Sequence, residues 1–489
     1  MRFTVLSHAG LLVEHQGVQL LSDPWLIGST YWRSWWNYPP VARELVASLK
    51  PNYIYLTHIH WDHFQSASLK LFPLDTPIIV PKGHFERMKR DLHGVGFKKV
   101  IELNHAESIN LAPDFRLTSY AFDLLSDSAL VLESPKVTLL NLNDCKIMGG
   151  PLRHLLRRHK RPDFVFASHS SANSRQCFEI IDAPETEVDD VQKYIERFYQ
   201  FVTASGARYA VPFASNQCYL HKETFRFNES GRTPLMVNEY WEKHKITTPE
   251  LKVMVSGDAW SEDEGFKFTG VDWFTDRERL LLEYQKEKSA VLEDFYKKEA
   301  AARVTMRHMT HFFPEFTNAL PYLVRRKFKG HPIIYVLYAG ENRSVYKVDL
   351  YEKSVSEMRF DELNDEKFPL QIHLSSYVMR HALGVNILAH LGIGKRVRYR
   401  VTRAEKKYAD LYKTLLDLHE YEILPVKNFF RPRSIINWLQ RWREVILFAQ
   451  LAGEKIWTGS FNLDRHLVPA PREESSGAAG RVEQSAGAT

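Results

Sequence analysis

The chain has 489 residues, too many for one ordinary hydrophobic core, so two or more domains are expected. Hydrophobic residues make up 44% and charged residues 25%, the balance of a soluble globular protein rather than a disordered or fibrous one. The net charge of +6 is mild for this length; it fits a small anionic substrate or a membrane surface, and no nucleic-acid partner is expected.

Taken in chain order, the opening reads as three short strands, over residues 3–7, 11–14 and 19–22, with His15-Gln16-Gly17 as a turn and Asp23-Pro24 closing the series. Its apolar runs are too short for a signal-peptide core, and no stretch reaches the ~20 apolar residues of a membrane span, so a soluble, cytoplasmic protein is expected. Residues 53–57 (YIYLT) form a β-rich apolar run, and 77–81 another. A second strand series covers 117–121, 129–133 and 137–142, with Ser134-Pro135-Lys136 as a hairpin turn. Further strands are predicted at 163–167 and 209–213, with helical spacing over 187–203 between them. From 275 to 302 the chain reads as one long charged helix burying Leu281, Tyr284, Ala290, Val291, Phe295 and Tyr296. An antiparallel pair follows at 333–337 and 344–350. Residues 1–265 are therefore read as an α/β domain, 266–465 as an α+β accessory domain, and 466–489 as a disordered tail rich in Ser, Gly, Ala and Glu.

Chemistry concentrates just after the YIYLT strand, where Thr57-His58-Ile59-His60-Trp61-Asp62-His63 packs four potential ligands into six positions. Residues two apart in extended chain point the same way, so His58 and His60 can address one metal ion. A turn into helix then swings Asp62 and His63 toward a neighbouring position. Imidazole and carboxylate together suit one or two divalent ions such as zinc or iron. The three cysteines, Cys145, Cys177 and Cys218, are far apart and lack CxxC spacing, which argues against a disulfide scaffold or an iron–sulfur cluster within this chain.

The HIHWDH segment resembles the HxHxDH signature of the metallo-β-lactamase superfamily. The resemblance implies an αββα sandwich and assigns His58, His60, Asp62 and His63 to the metal site. Asp23 in LLSDPWL resembles the aspartate that supports the site from a strand end, and Asp144 in LLNLNDC the carboxylate that bridges two metals. Where the superfamily has a histidine after the 117–121 strand, this chain has Asp123, which is either a replacement ligand or a turn residue. For the last histidine the candidates are His169, in FASHSSANS, and His221. The resemblance also implies a place near the site for His8, although a hydrogen-bonded structural role fits equally.

The opening SHAGLLVEHQGVQLLSDPWL further resembles the branch containing ascorbate-phosphate lactonase and N-acylphosphatidylethanolamine phospholipase D. A closer likeness is to the catalytic portion of CMP-N-acetylneuraminate hydroxylases, through Asp-Pro-Trp-Leu, the aromatic stretch Tyr31-Trp32-Arg33-Ser34-Trp35-Trp36 and the hairpin SDSALVLESPKVTLLNLNDC. These hydroxylases carry a Rieske-type cluster that three scattered cysteines cannot build.

Three functions stand side by side. A hydrolase would use metal-activated water on an ester or phosphoester of a small anionic substrate, with a nucleotide sugar as first guess and Asp62 orienting the nucleophile. A non-haem iron oxygenase would need electrons from a separate ferredoxin. A metal-stabilised binding protein would turn nothing over. Trp25, Tyr31, Trp32, Trp35 and Trp36 are too many to bury easily and are divided between pocket and core. The basic run 153–161 is read as a solvated face, and His308, His311, His373, His381 and His390 as structural. The C-terminal segment is expected to cap the site, recruit a partner or mediate homodimerisation.

Overall fold

The computed structural model describes residues 1–123, 127–170, 172, 174–186 and 193–458. The predicted disordered tail, 466–489, lies outside them. Among the described residues two large sheets form the first half. One runs in the order Gly265–Lys267, Ala259–Ser261, Arg2–Val5, Leu11–His15, Val18–Ser22, Tyr53–Tyr55, Ile78–Pro81, Val100–Leu103. The other runs Glu250–Leu251, Tyr209–Phe213, Phe164–Ser168, Thr138–Asn143, Asp127–Glu133, Phe115–Phe122, Glu107–Ala112.

Alternation along the strands explains why these sheets stack. Phe3, Val5, Leu20 and Tyr55 of the first meet Leu130, Leu132, Phe164, Phe166 and Phe213 of the second in a single buried layer. The residues of opposite parity serve the outer faces. Leu21, Ile54 and Ile78 lie under the helix Arg87–Val95, whereas Val131, Leu140 and Val165 lie under the helices Gly149–Arg158, Lys193–Ala204 and Pro234–Lys243. Each large side chain so buried contributes about 1.5–3 kcal/mol. The result is the αββα sandwich expected from the sequence. His15-Gln16-Gly17 is a tight hairpin turn, with Gln16 and Gly17 at φ 50° and 76°, the left-handed pair a two-residue turn requires.

Strand direction positions the site. Arg2–Val5, Val18–Ser22 and Tyr53–Tyr55 are mutually parallel, as are Thr138–Asn143, Phe164–Ser168 and Tyr209–Phe213. Their carboxyl ends deliver His8, Asp23, the histidine motif, Asp144, Ser168 and Ala214 to one edge of the sandwich.

The second half has its own sheet, ordered Phe178–Ile180, Arg398–Val401, Leu370–Ser375, Ile333–Ala339, Asn342–Asp349, Ser354–Met358. The predicted boundary near 265 is crossed in both directions. The strand Phe178–Ile180 pairs in parallel with Arg398–Val401 of the second half. The last helix, Trp442–Thr458, packs back on the sandwich, with Leu447 in the layer over Leu152 and Leu155. The long charged helix of 275–302 is two, Arg277–Glu287 and Ser289–Ala301, broken at Lys288. Leu292 is buried there, whereas Ala290 and Val291 are exposed, because Leu281, Leu292, Phe295 and Glu299 keep one 3.6-residue stripe on which positions 290 and 291 do not fall.

Candidate metal centre

The strand Tyr53–Tyr55 ends at Thr57, and the backbone then turns so that His63 and Phe64 N–H both donate to the His60 carbonyl. This tight turn folds the motif onto itself. His58 Nε2 comes to 2.8 Å from His60 Nδ1. His63 Nε2 lies 3.2 Å from Asp62 Oδ2 and 3.4 Å from Asp144 Oδ2, and His8 Nε2 lies 3.0 Å from Asp62 Oδ2. Two donor groups result, His58–His63–Asp144 and His8–Asp62–His63, each with its ligand atoms within 4.8 Å of one another.

The buried ring nitrogens of His8 and His63 face these carboxylates without hydrogen-bonding geometry. Such convergence of lone pairs on a common point is the arrangement of metal ligands, not of hydrogen-bonded neighbours. The donor set, imidazole with carboxylate, fits one or two divalent ions.

Asp23 sits behind this cluster, fully buried. Its Oδ1 accepts Thr57 N–H at 2.8 Å; its Oδ2 accepts Thr57 Oγ1 at 2.7 Å, Asn143 Nδ2 at 2.5 Å and His63 Nδ1 at 3.0 Å. The sequence reading placed Asp23 among the catalytic residues. In the structure it acts through His63, fixing the tautomer that leaves Nε2 free to ligate, and is a positioning residue. Asp62 is held from the other side by Tyr31, whose hydroxyl donates to Oδ1 at 2.5 Å. Backbone strain concentrates at the same edge: Asp23, Asp123, Asn143 and Ala214, all at strand ends, have φ of 44°, 60°, 48° and 45°.

Electrostatics follow from burial and crowding. Burial, then the neighbouring His63, lowers His58 to about 4; burial and His58 lower His60 to about 3, so both are neutral at physiological pH. For His63 burial works against the charge, but Asp62 and Asp23 overcome it and hold the imidazole well above its usual value. Burial also opposes the Asp144 carboxylate, and the His63 contact prevails and keeps it below the usual range. A positive charge is thus wanted where His63 meets Asp62 and Asp144, the place a cation would take.

Four predicted ligands join neither donor group among the described residues: His60, whose Nδ1 contacts His58 Nε2, and His169, His221 and Asp123. His169 directly follows Phe164–Ser168; its buried ring stands 6.3 Å from the Phe198 ring and feels the charge of His8. His221 Nε2 is taken by Glu299 at 3.0 Å. Asp123 has a left-handed backbone, and its carbonyl accepts from Arg441. Other residues escaped the sequence reading. Asp127 opposes Phe122 in the hairpin, and burial with Asp144 nearby raises it to about 7. From the second half, Tyr421 Oη lies 3.2 Å from His60 Nε2, and the buried His390 ring stands 5.2 Å from that of His60. His390, read as structural, therefore faces the centre, and its own Nε2 lies 3.1 Å from Glu420 Oε1. With a cation on His60 Nδ1, Nε2 would carry the proton and donate to Tyr421.

The aromatic stretch is buried throughout, Trp25 and Tyr31 at 0% exposure, because the second half lies over it. The Trp61 ring stacks on Tyr31 with centroids 5.8 Å apart, and Trp35 reaches the cavity beside the donors. This cavity, about 200 Å³, is walled by His8, His60, Asp62, Asp144, Lys146 and the serines 168, 170 and 215. Lys146 Nζ donates to Ser168 Oγ. The basic run 153–161 instead forms the helix Gly149–Arg158, burying Leu152 and Leu155 and turning its arginines outward, apart from His159, which pairs with Glu133 at 2.9 Å.

A two-sheet sandwich with helices outside and an HxHxDH turn at its strand-end edge decides the fold class. The fold is of the metallo-β-lactamase type. No family model matches the chain. It is 26% identical to a Mycobacterium tuberculosis protein described as a Rieske 2Fe-2S iron–sulfur protein, over 254 residues that make up 48% of this chain and 47% of that one. It is 28% identical to the Mus musculus cytidine monophosphate-N-acetylneuraminic acid hydroxylase over 159 residues, 31% of this chain and 27% of the relative. The chain thus spans about half the length, or less, of these curated relatives. Among solved structures it is similar to an isothiocyanate hydrolase from Delia radicum gut bacteria, with 17% identity, a TM-score of 0.40, and coverage of 53% of this chain and 99% of that one. No helix among the described residues is long and apolar enough to cross a membrane.

Proposed function

We propose that the chain is a metal-dependent hydrolase acting on an ester or phosphoester of a small anionic substrate. The observation that carries this reading is the convergence of the donor groups His58–His63–Asp144 and His8–Asp62–His63 beside a cavity lined by His8, His60, Asp62, Asp144, Lys146 and three serines. The two groups share His63 and would offer donors to one or two ions. A divalent ion bound there lowers the pKa of coordinated water from about 16 to near 7 and polarises an ester or phosphoryl oxygen.

The chain's own residues supply the rest. Lys146 attracts the anionic group, and Ser168 and Ser170 orient it. Asp62 is pinned by Tyr31, so its remaining oxygen is fixed in direction for a ligand or a proton. Trp35 and Ile393 line the cavity and exclude bulk water, which strengthens each electrostatic contact inside. The cavity is smaller than the ~300–1,000 Å³ of sites that enclose whole drug-sized ligands. It takes the reacting end of a substrate, and a nucleotide moiety would extend outside.

A second reading, a non-haem iron hydroxylase, is favoured by the likeness to the mouse hydroxylase and by the carboxylates among the donors. The three cysteines are buried singly, which leaves a separate ferredoxin as electron donor. Iron and zinc quantified in protein purified without added metal, followed by turnover assays with and without dioxygen and reductant, separate the two. Ester or phosphoester turnover that needs neither supports hydrolysis; turnover that requires both, with about two irons per chain, replaces it with oxygenation.

A further inference from the structure

The turn Val426–Phe430 and the helices Pro432–Gln440 and Trp442–Thr458 are amphipathic in the inverted sense. The side of the first helix against the sandwich is polar, and so is the start of the second: Ser434, Asn437, Arg441 and Glu444 are buried, before Leu447 packs into the helix layer. Asn437 Nδ2 donates to the Lys82 carbonyl at 2.7 Å, and Arg441 donates to the Asp123 carbonyl and pairs with Glu444. The outward side is apolar. Phe430 is 73% exposed, Leu439 69%, Ile436 51%, Trp442 49%, Ile446 48% and Ile435 44%. Within each helix the exposed apolar positions share one side, 435 and 439 on the first and 442 and 446 on the second, each pair four residues apart, so the ridge has two segments that meet at Arg441.

The charges around this ridge are mainly positive. Lys427 and Arg431 are exposed at its edge, and the Arg443 guanidinium lies over the Trp442 ring at 4.3 Å. Glu86, which borders the ridge beside Ile436, is engaged by Arg433, as is Glu102. Between residues 426 and 450 the sole carboxylate is Glu444, buried and held by Arg441. A second copy of the same face would oppose Lys427 and Arg431 to cations, with Glu86 already engaged by Arg433. An anionic lipid surface complements both features: headgroup phosphates meet Lys427 and Arg431, and the ridge with Phe430 and Trp442 enters the acyl boundary.

We infer that this face docks the protein onto a bilayer surface bearing anionic headgroups, lying on the membrane without crossing it. The inference is independent of what the metal centre catalyses. It is tested by flotation of the full chain with vesicles of phosphatidylcholine alone or mixed with phosphatidylglycerol, with molar mass measured in parallel. The chain is expected to float with the mixed vesicles. Leu439→Glu combined with Ile436→Glu should weaken binding at least about tenfold, and Lys427→Gln with Arg431→Gln should weaken it and flatten its salt dependence. All four residues are exposed, and unchanged thermal melting confirms that the variants fold. Absence of flotation overturns the inference. So does equal binding to neutral vesicles, or a dimer that the Leu439→Glu variant dissolves, which would identify a second copy as the occupant.

Discussion

Replacing Asp23 with Asn keeps the size of the side chain and reverses half of its hydrogen bonding. Oδ1 continues to accept Thr57 N–H, but the amide nitrogen then faces three donors, Thr57 Oγ1, Asn143 Nδ2 and His63 Nδ1, that Oδ2 now accepts. His63 loses the partner that fixes its proton on Nδ1. The tautomer with the proton on Nε2 becomes preferred, and that proton occupies the lone pair aimed at Asp62 and Asp144. A charge-assisted hydrogen bond of this kind contributes about 1.5–3 kcal/mol. At 1.4 kcal/mol per decade this corresponds to about 10- to 150-fold weaker metal binding. Competition against a chromophoric chelator measures it, with circular dichroism confirming that the variant is folded at the assay temperature. A folded Asp23→Asn protein whose metal affinity stays within about threefold of the parent would refute the argument that Asp23 works through His63.

Metal content should divide the histidines in the same way. His58→Asn and Asp144→Asn should each lose most of the bound metal, whereas His169→Asn and His221→Asn should retain it by elemental analysis, since His169 faces Phe198 and His221 faces Glu299. Tyr421→Phe removes only the outer partner of His60 and should weaken metal binding by about 3- to 10-fold, toward the lower end of what outer partners contribute. Glu420 gives a pH signature. Burial raises its carboxyl to about 8 in the folded protein, so the folded state binds the proton more tightly than the unfolded chain. Its stabilising contribution is complete below the unfolded value near 4.5 and is lost as pH rises toward 8, with a slope of up to about 1.4 kcal/mol per pH unit. Glu420→Gln should flatten this part of the difference in denaturant stability between the two proteins across that window, and an unchanged pH profile would contradict a protonated Glu420.

The portion of the site legible in the sequence is the portion that is local. Four donors lie within six residues, and Asp23 and Asp144 each follow an apolar strand, so pattern and motif suffice. His169 joins neither donor group among the described residues, although Ser168 and Ser170 on either side of it line the cavity. Asp127 carries a hairpin-register signal, opposite Phe122, that could have been read once Asp123 was considered as a ligand. Tyr421 and His390 carry no local signal, because their role arises from packing against residues more than 300 positions earlier. The same packing explains why five neighbouring aromatics could all be buried. The strands Val100–Leu103 and Glu107–Ala112 were overlooked because they lie at sheet edges, where one row of side chains is solvated and the apolar pattern is broken.

The crossing of the two halves has a temporal side. Every donor of the two groups, from His8 to Asp144, lies in the first third of the chain, and the last strand of the sandwich, Gly265–Lys267, precedes His390 by 123 residues. At about 5–20 residues per second this leaves an interval of roughly 6–25 s on the ribosome. During that time the donor edge stands without His390 and Tyr421 over it, and the outer face of the second sheet still lacks the helix that carries Leu447. The nascent sandwich therefore passes through a stage at which its donors are accessible from the side that the finished protein closes, and acquiring the ion belongs to that stage as readily as to the completed chain.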